Sequence, residues 1–141
     1  MTEINEEQDL TYNATNSEIN VNPDGVITGD LNGYGTSILN IKGGHLQDDL
    51  KSYDNCKITI DSGTIDGGLG IYGSGGCNWY GGSIGGRITV GNDETETVLN
   101  IHGSDFKLHA RRISGKLSDN TEFNIPVSIS PGSVINLIIS E

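Results

Sequence analysis

The sequence predicts an all-β fold, a short parallel β-helix (β-solenoid) of 19-residue coils capped by a C-terminal β-hairpin unit, and three observations lead there. First, one phrase recurs four times: Leu39-Asn-Ile-Lys-Gly-Gly-His-Leu46, Ile58-Thr-Ile-Asp-Ser-Gly-Thr-Ile65, Cys77-Asn-Trp-Tyr-Gly-Gly-Ser-Ile84 and Leu99-Asn-Ile-His-Gly-Ser-Asp-Phe106. Their starts are 19, 19 and 22 residues apart, the self-similarity of a coil-per-repeat architecture. Second, residues recur in columns one period apart: Ile27, Leu46, Ile65, Ile84; Leu31, Leu50, Leu69, Ile88; Gly25, Gly44, Gly63, Gly82; and Tyr34, Tyr53, Tyr72. Third, 21 of 141 residues are glycine, about twice the usual share, while 33% are hydrophobic and 6% aromatic. Such a composition fills a narrow, repeatedly cornered core and not a wide globular one.

Each unit alternates apolar and polar residues, then meets Gly or Ser, then places one more apolar residue. That is a strand followed by a corner, with no helical period. The Leu-x-x-Leu-x-Leu order of leucine-rich repeats is absent. Residues 26–106 therefore read as coils whose equivalent positions stack about 4.8 Å apart, so that four full coils stand roughly 20 Å tall. The inward column holds Leu39, Ile41, Ile58, Ile60, Cys77, Trp79, Leu99 and Ile101, and a second follows the corner at Ile27, Leu46, Ile65, Ile84 and Phe106. The Gly column suits a corner that needs positive φ or close backbone approach. The longer last interval fits an insertion within 92–97, a polar stretch able to bulge from a loop.

Residues 1–25 hold six acidic residues and no Lys or Arg, so the first ten read as a mobile arm and 10–21 as the first cap. Ile19-Asn-Val21 repeats the Leu-Asn-Ile phrase one residue out of register, a slip that the turn at Pro23 can absorb. After Phe106 the period stops. Lys107 to Ile113, Thr121 to Val127 and Ser133 to Ser140 read as strands of a C-terminal cap and oligomerisation unit, 107–141, with turns at 118–120 and 130–132.

With 19 acidic residues against 8 basic ones, the net charge of −11 argues against nucleic acid and anionic membranes as partners. The N-terminus has no basic start or apolar run of a secretory leader, and the longest apolar stretch, 134–139, is too short to span a bilayer. Cys56 and Cys77 fall on adjacent coils offset by two residues, roughly 8 Å apart at Cα, beyond the reach of an unstrained disulfide.

Chemistry is sparse. Asp48, Asp49, Asp61 and Asp66 are the carboxylates to weigh for a glycan-cleaving pair, but Asp66 shares its column with Gln47 and Gly85, and Asp61 with Lys42 and Tyr80. His45, His102 and His109 share no column, His45 aligning with Thr64 and Ser83, and Asp66-Gly67-Gly68 occurs once where calcium-binding repeats need recurrence. The expectation is a protein that is not an enzyme and uses no cofactor or metal. One outward column does repeat, Asn40, Thr59, Asn78 and Asn100, as a hydrogen-bonding surface ladder. Its irregular neighbours, Lys42, Asp61, Tyr80 and His102, argue against ice binding.

The Asn-Ile-x-Gly-Gly phrase, the Leu99-to-Phe106 unit and Ile113-Ser-Gly-Lys-Leu-Ser-Asp-Asn-Thr-Glu-Phe123 resemble bacterial surface and secreted β-solenoid proteins, including some with a PEP-CTERM sorting tail. In those proteins "NISGG" coils end in a "GSDF" unit and a "G-x-L-x-D-G-x-x-F" hairpin; here Asn120 stands where Gly is usual. Gly-rich coils of this kind also occur in autotransporter passengers and phage fibres. The resemblance, over residues 37 to about 125, implies a fold and an exposed location without a reaction.

Two functions follow as expectations. One is a non-enzymatic structural protein, an oligomeric component of a virion (phage capsid-decoration or tail/fibre protein) or other extracellular assembly, made in the cytoplasm without a signal peptide. The other is a carbohydrate-binding adhesin module that meets a cell-surface glycan through exposed rings. For the first, the assembly contacts expected are acidic Glu3, Glu6, Glu7 and Asp9, basic Lys107, Arg111, Arg112 and Lys116, and apolar Ile135, Leu137 and Ile139. They point to a homo-oligomer, a parallel trimer first, docked on a larger protein shell or fibre.

Overall fold

A computed structural model of the chain describes residues 2–92 and 96–140, and among them every regular element is a strand. The strands, numbered along the chain, stack in parallel on three faces of a solenoid. The first face carries β1 (Thr2–Ile4), β4 (Glu18–Val21), the starts of β7 (Ile38–Leu46) and β9 (Lys57–Ile65), β11 (Cys77–Trp79), the start of β14 (Val98–His109) and β17 (Val134–Ile139). Seven strands at the usual spacing make this face about 29 Å tall. The second face carries β2 (Glu7–Gln8), β5 (Val26–Ile27), the ends of β7 and β9, and β12 (Ser83–Ile84). The third carries β3 (Tyr12–Thr15), β6 (Leu31–Tyr34), β8 (Leu50–Ser52), β10 (Leu69–Ile71), β13 (Ile88–Val90) and the end of β16 (Glu122–Ile129).

The registers reproduce the repeat: Leu39 lies beside Ile58, Ile58 beside Cys77, Cys77 beside Leu99. Leu39, Ile58, Cys77 and Leu99 are buried, as are Ile41, Ile60, Trp79 and Ile101. The third face buries Leu31, Leu50, Leu69 and Ile88 in the same manner. No coil closes a core alone; each side chain packs against the coils above and below it.

At the corner between the first two faces the glycine column has the two causes expected. Gly44, Gly63 and Gly82 have φ of +77°, +101° and +83°, and a Cβ on Gly63 would fall 2.6 Å from the Gly43 carbonyl oxygen of the coil beneath. Gly25 is not left-handed; there the approach of the Ile4 carbonyl alone excludes a side chain. The Pro23 turn absorbs the early slip, since Ile19 pairs with Leu39, 20 residues on, whereas Val26 pairs with His45, 19 residues on. The later insertion falls between Val90, still 19 residues from its partner Ile71, and Val98; residues 93–95 lie outside the described residues.

Four expectations need correction. The N-terminal residues are not an arm: Thr2, Glu3 and Ile4 pair with Ile19, Asn20 and Val21, and Glu7 and Gln8 with Val26 and Ile27. Strand alternation puts Glu3 and Glu7 outward while Ile4 enters the core, so their acidity is no obstacle to pairing. Second, Lys107 to Ile113 is not one strand, because a tight turn with Ala110 at φ +56° separates β14 from β15 (Arg112–Leu117). Strands β14, β15 and β16 form an antiparallel meander, after which the chain re-enters the solenoid: Val127 pairs with Ile88, and Ile135 with Leu99. Residues 107–140 are thus an excursion plus a further coil.

Third, the second inward column is buried at Ile27, Leu46 and Ile65 but only partly at Ile84 and Phe106. That face ends at β12, since β14 runs straight on into the meander and, among the described residues, no strand pairs with the far side of β12. Fourth, a bulge at Asp61 sets Lys42 beside Ser62, not Asp61.

Candidate functional site

The polar ladder on the first face is longer than the expected four residues. It runs Asn20, Asn40, Thr59, Asn78, Asn100, Asn136. Asn40 Nδ2 donates to Asn20 Oδ1 (2.9 Å), Asn100 Nδ2 to Asn78 Oδ1 (3.1 Å) and Asn136 Nδ2 to Asn100 Oδ1 (2.9 Å), each later amide bonding back to the preceding coil. Asn78 Oδ1 also faces His102 Nε2 at 3.0 Å. The phrases Ile19-Asn-Val21 and Ile135-Asn-Leu137 were the signals for the two end members. A shorter ladder on the third face joins Asn32 Nδ2 to Asn13 Oδ1 at 3.0 Å. These amide bonds run along the axis and stiffen the stack, although Asn32 Oδ1 is buried without a hydrogen-bond partner among the described residues.

Aromatic rings behave alike. Tyr34, Tyr53 and Tyr72, half-buried at one corner, stack with centroids 5.0 and 5.4 Å apart, and Tyr80 stacks on His102 at 4.1 Å. Trp79 lies in the core with its Nε1–H donating to the Gly81 carbonyl at 3.0 Å, its ring against Phe123, which in turn meets Phe106 edge-on. A sugar binds an aromatic by its face, and in the tyrosine ladder the faces between coils are occupied by the next ring.

Two acidic groupings were not foreseen. Asp66 Oδ2 lies 2.6 Å from His45 Nε2, both half-exposed, one coil apart. Asp30, Asp48 and Asp49 gather at another corner; Asp30 and Asp49 are one period apart, a signal the sequence carried. Asp30 Oδ1 accepts the Asp49 N–H (3.0 Å) and Asp49 Oδ1 the Gly68 N–H (2.8 Å), which caps successive corners, and Lys51 Nζ sits 3.5 and 3.6 Å from their other oxygens. Crowding, from Asp30 first, raises the Asp48 carboxyl. These three carboxylates are the nearest approach to a cation ligand set among the described residues, with backbone N–H groups and a lysine holding the oxygens of two of them.

Both thiols are buried and free: burial pushes Cys56 up to about 12 and Cys77 upward as well. Asp61 stands exposed on the bulge.

The charged residues expected at assembly contacts lie at opposite ends of the solenoid. Glu3, Glu6 and Glu7 are exposed on the first coil, as is Asp9, whose Oδ1 accepts from Thr28 Oγ1 (2.9 Å). Lys107, Arg111 and Arg112 are exposed on the meander of the last coil, with Lys116 half-buried; Arg112 donates to the Asn124 side chain and carbonyl. The apolar members, Ile135, Leu137 and Ile139, are on β17. That strand pairs with β14 along one edge, and among the described residues nothing pairs with the other.

No protein-family model, curated protein or solved structure matches this chain.

Proposed function

We propose that this chain is a non-enzymatic structural protein, a rigid coil stack that assembles with copies of itself in a virion, as a capsid-decoration or tail/fibre component, or in another extracellular assembly. The observation that supports it best is the contrast between the faces and the end. Along the first face the amides, and at one corner the tyrosine rings, are paired with their own neighbours, while the last coil presents an uncharged, apolar strand edge that among the described residues is unpaired. Unprotected edges of this kind are ordinarily blocked unless something covers them. The extracellular setting rests on the likeness of the repeat to surface solenoids. Sedimentation of the intact chain at tens of micromolar, at low and at high salt, tests the reading: oligomers are expected, and a monomer at every salt concentration overturns it.

A second reading, the carbohydrate-binding adhesin, draws on a shallow groove of about 670 Å³ in the meander, where Phe106 and Phe123 lie beside Lys107, Lys116, Asp105 and Glu122. Titration against a glycan array, with Glu122→Ala at an exposed lining residue as control, decides it; binding abolished by that change would favour the adhesin.

A further inference from the structure

We propose that the open end of the last coil takes a second copy of this chain, the two Val134–Ile139 strands pairing antiparallel across a two-fold axis. This rests on the structural, self-assembling function above and names its contact.

The two ends of the solenoid are built differently. At the N-terminal end the core is closed, since Ile4 and Ala14 are only 3% and 2% exposed, and the other inward positions of that coil are Thr2, Gln8 and Tyr12, side chains with polar tips. Its edge carries Glu3 and Glu7, charges that block strand addition. At the other end β17 has no charge and no proline over six residues. Its outward Val134 and Ile138 are 45% and 38% exposed and Ile139 is 63% exposed; Val98, paired with Val134, is exposed too, as is Ile129 at the end of β16 on the third face. Ile135 and Leu137 end the inward columns that run through Leu99 and Ile101, and remain only half-buried. Apart from Leu10 on the first coil and Ile38 on the next, the exposed large apolar side chains lie at this end, while the first coil bears the acidic charge.

Head-to-tail stacking would set Thr2, Glu3 and Ile4 of one copy above Ile135, Asn136 and Leu137 of the next. The amide ladder opposes it. Because Asn136 Nδ2 donates back to Asn100, the ladder leaves Asn136 Oδ1 for the next coil, and the carboxylate of Glu3 has no proton to give it. A two-fold contact avoids that mismatch. Antiparallel strands in one sheet keep inward residues opposite inward residues, so Ile135, Leu137 and Ile139 of both copies close one core. The contact is self-complementary and ends at two copies, whereas stacking would grow without limit.

The test uses the full chain. Velocity sedimentation at about 50 μM should show a dimer that holds or tightens between about 50 and 500 mM salt, because two chains of like charge repel less when screened. Ile139→Lys, at an exposed side chain, should weaken dimerisation at least about tenfold with the melting of the single chain unchanged. Variants Val134→Cys, Asn136→Cys and Ile138→Cys place thiols along the outward row of β17; oxidised singly and in equimolar pairwise mixtures, at least one combination should give a disulfide-linked dimer whichever residue lies on the two-fold axis, and the native cysteines are buried and do not compete. In a head-to-tail stack the same residues of two copies are about 30 Å apart and cannot bond. A trimer, an open fibre, or a dimer in which no single variant and no pairwise mixture links overturns this contact while leaving the self-assembling function intact; a monomer overturns both.

Discussion

Tyr34 and Tyr53, 19 residues apart, stack with their ring centroids 5.0 Å apart and their planes 7° from parallel, and Tyr72 continues the stack one coil higher. Nothing in the core requires tyrosine at this corner; the solenoid sets the rings at its own coil spacing, close to the separation at which offset rings attract. The middle ring has a partner on each side. Replacing it should cost more than replacing an end one: Tyr53→Ala is expected to lower stability by about 2–3 kcal/mol, and Tyr34→Ala by about half as much. Denaturant melts of the two variants check the order, and equal losses would mean the stacking adds nothing beyond burial.

Ile60 tests the core in the same manner. It lies fully buried between Ile41 and Trp79 of adjacent coils, so truncation removes contacts on both sides and leaves a cavity that the stacked backbone is too rigid to collapse. Ile60→Ala should cost about 2–5 kcal/mol. A loss under about 1 kcal/mol would contradict the burial and the register together.

How far the sequence discloses the fold depends on where the period is unbroken. Leu39, Ile58, Cys77 and Leu99 are legible as a column because near-constant spacing separates them. Ile135 belongs to that column, yet 36 residues separate it from Leu99, since the meander intervenes, and the sequence places it only in a strand of a C-terminal cap and oligomerisation unit. Ile4 is obscured for a different reason. The glutamates around it suggest solvent, but alternation sends those outward and leaves the isoleucine inside. Of the candidate site, Asn40, Thr59, Asn78 and Asn100 were legible from the repeat, and the apolar β17 from composition. That β17 is an unpaired edge and that the first coil is closed follow from stacking order, which no local pattern carries.

The thiols should be inert in the folded chain. Cys56 and Cys77 are buried and unbonded, and burial raises both, so a few per cent of thiolate at neutral pH falls to far less. A thiol reagent should label neither within the time that it labels both in denaturant, and the unreduced mass should equal that of the dithiol. Prompt labelling of Cys56 would show that its corner opens.

Asp119 carries the clearest acid dependence. It sits in the turn between β15 and β16, where Oδ2 accepts the Gly82 N–H at 2.9 Å and Oδ1 the Thr121 N–H at 3.0 Å, tying the meander to the coil below. Partial burial pushes the carboxyl up, but these hydrogen bonds to Thr121 and Gly82 outweigh it and hold the group below its ordinary value of 3.8. A carboxyl depressed on folding adds stability that is present above its unfolded value and lost as pH falls through the folded one. Asp119→Asn keeps an acceptor oxygen and removes the charge. It should therefore cost about 0.5–1 kcal/mol at neutral pH, a figure discounted for the solvent around the side chain. The difference from the unsubstituted chain should shrink as pH is lowered past 3.8 and vanish below the folded value. Melting curves of both proteins from neutral pH into acid give the comparison, and a gap that stays constant or widens in acid would mean the charge does not anchor the meander.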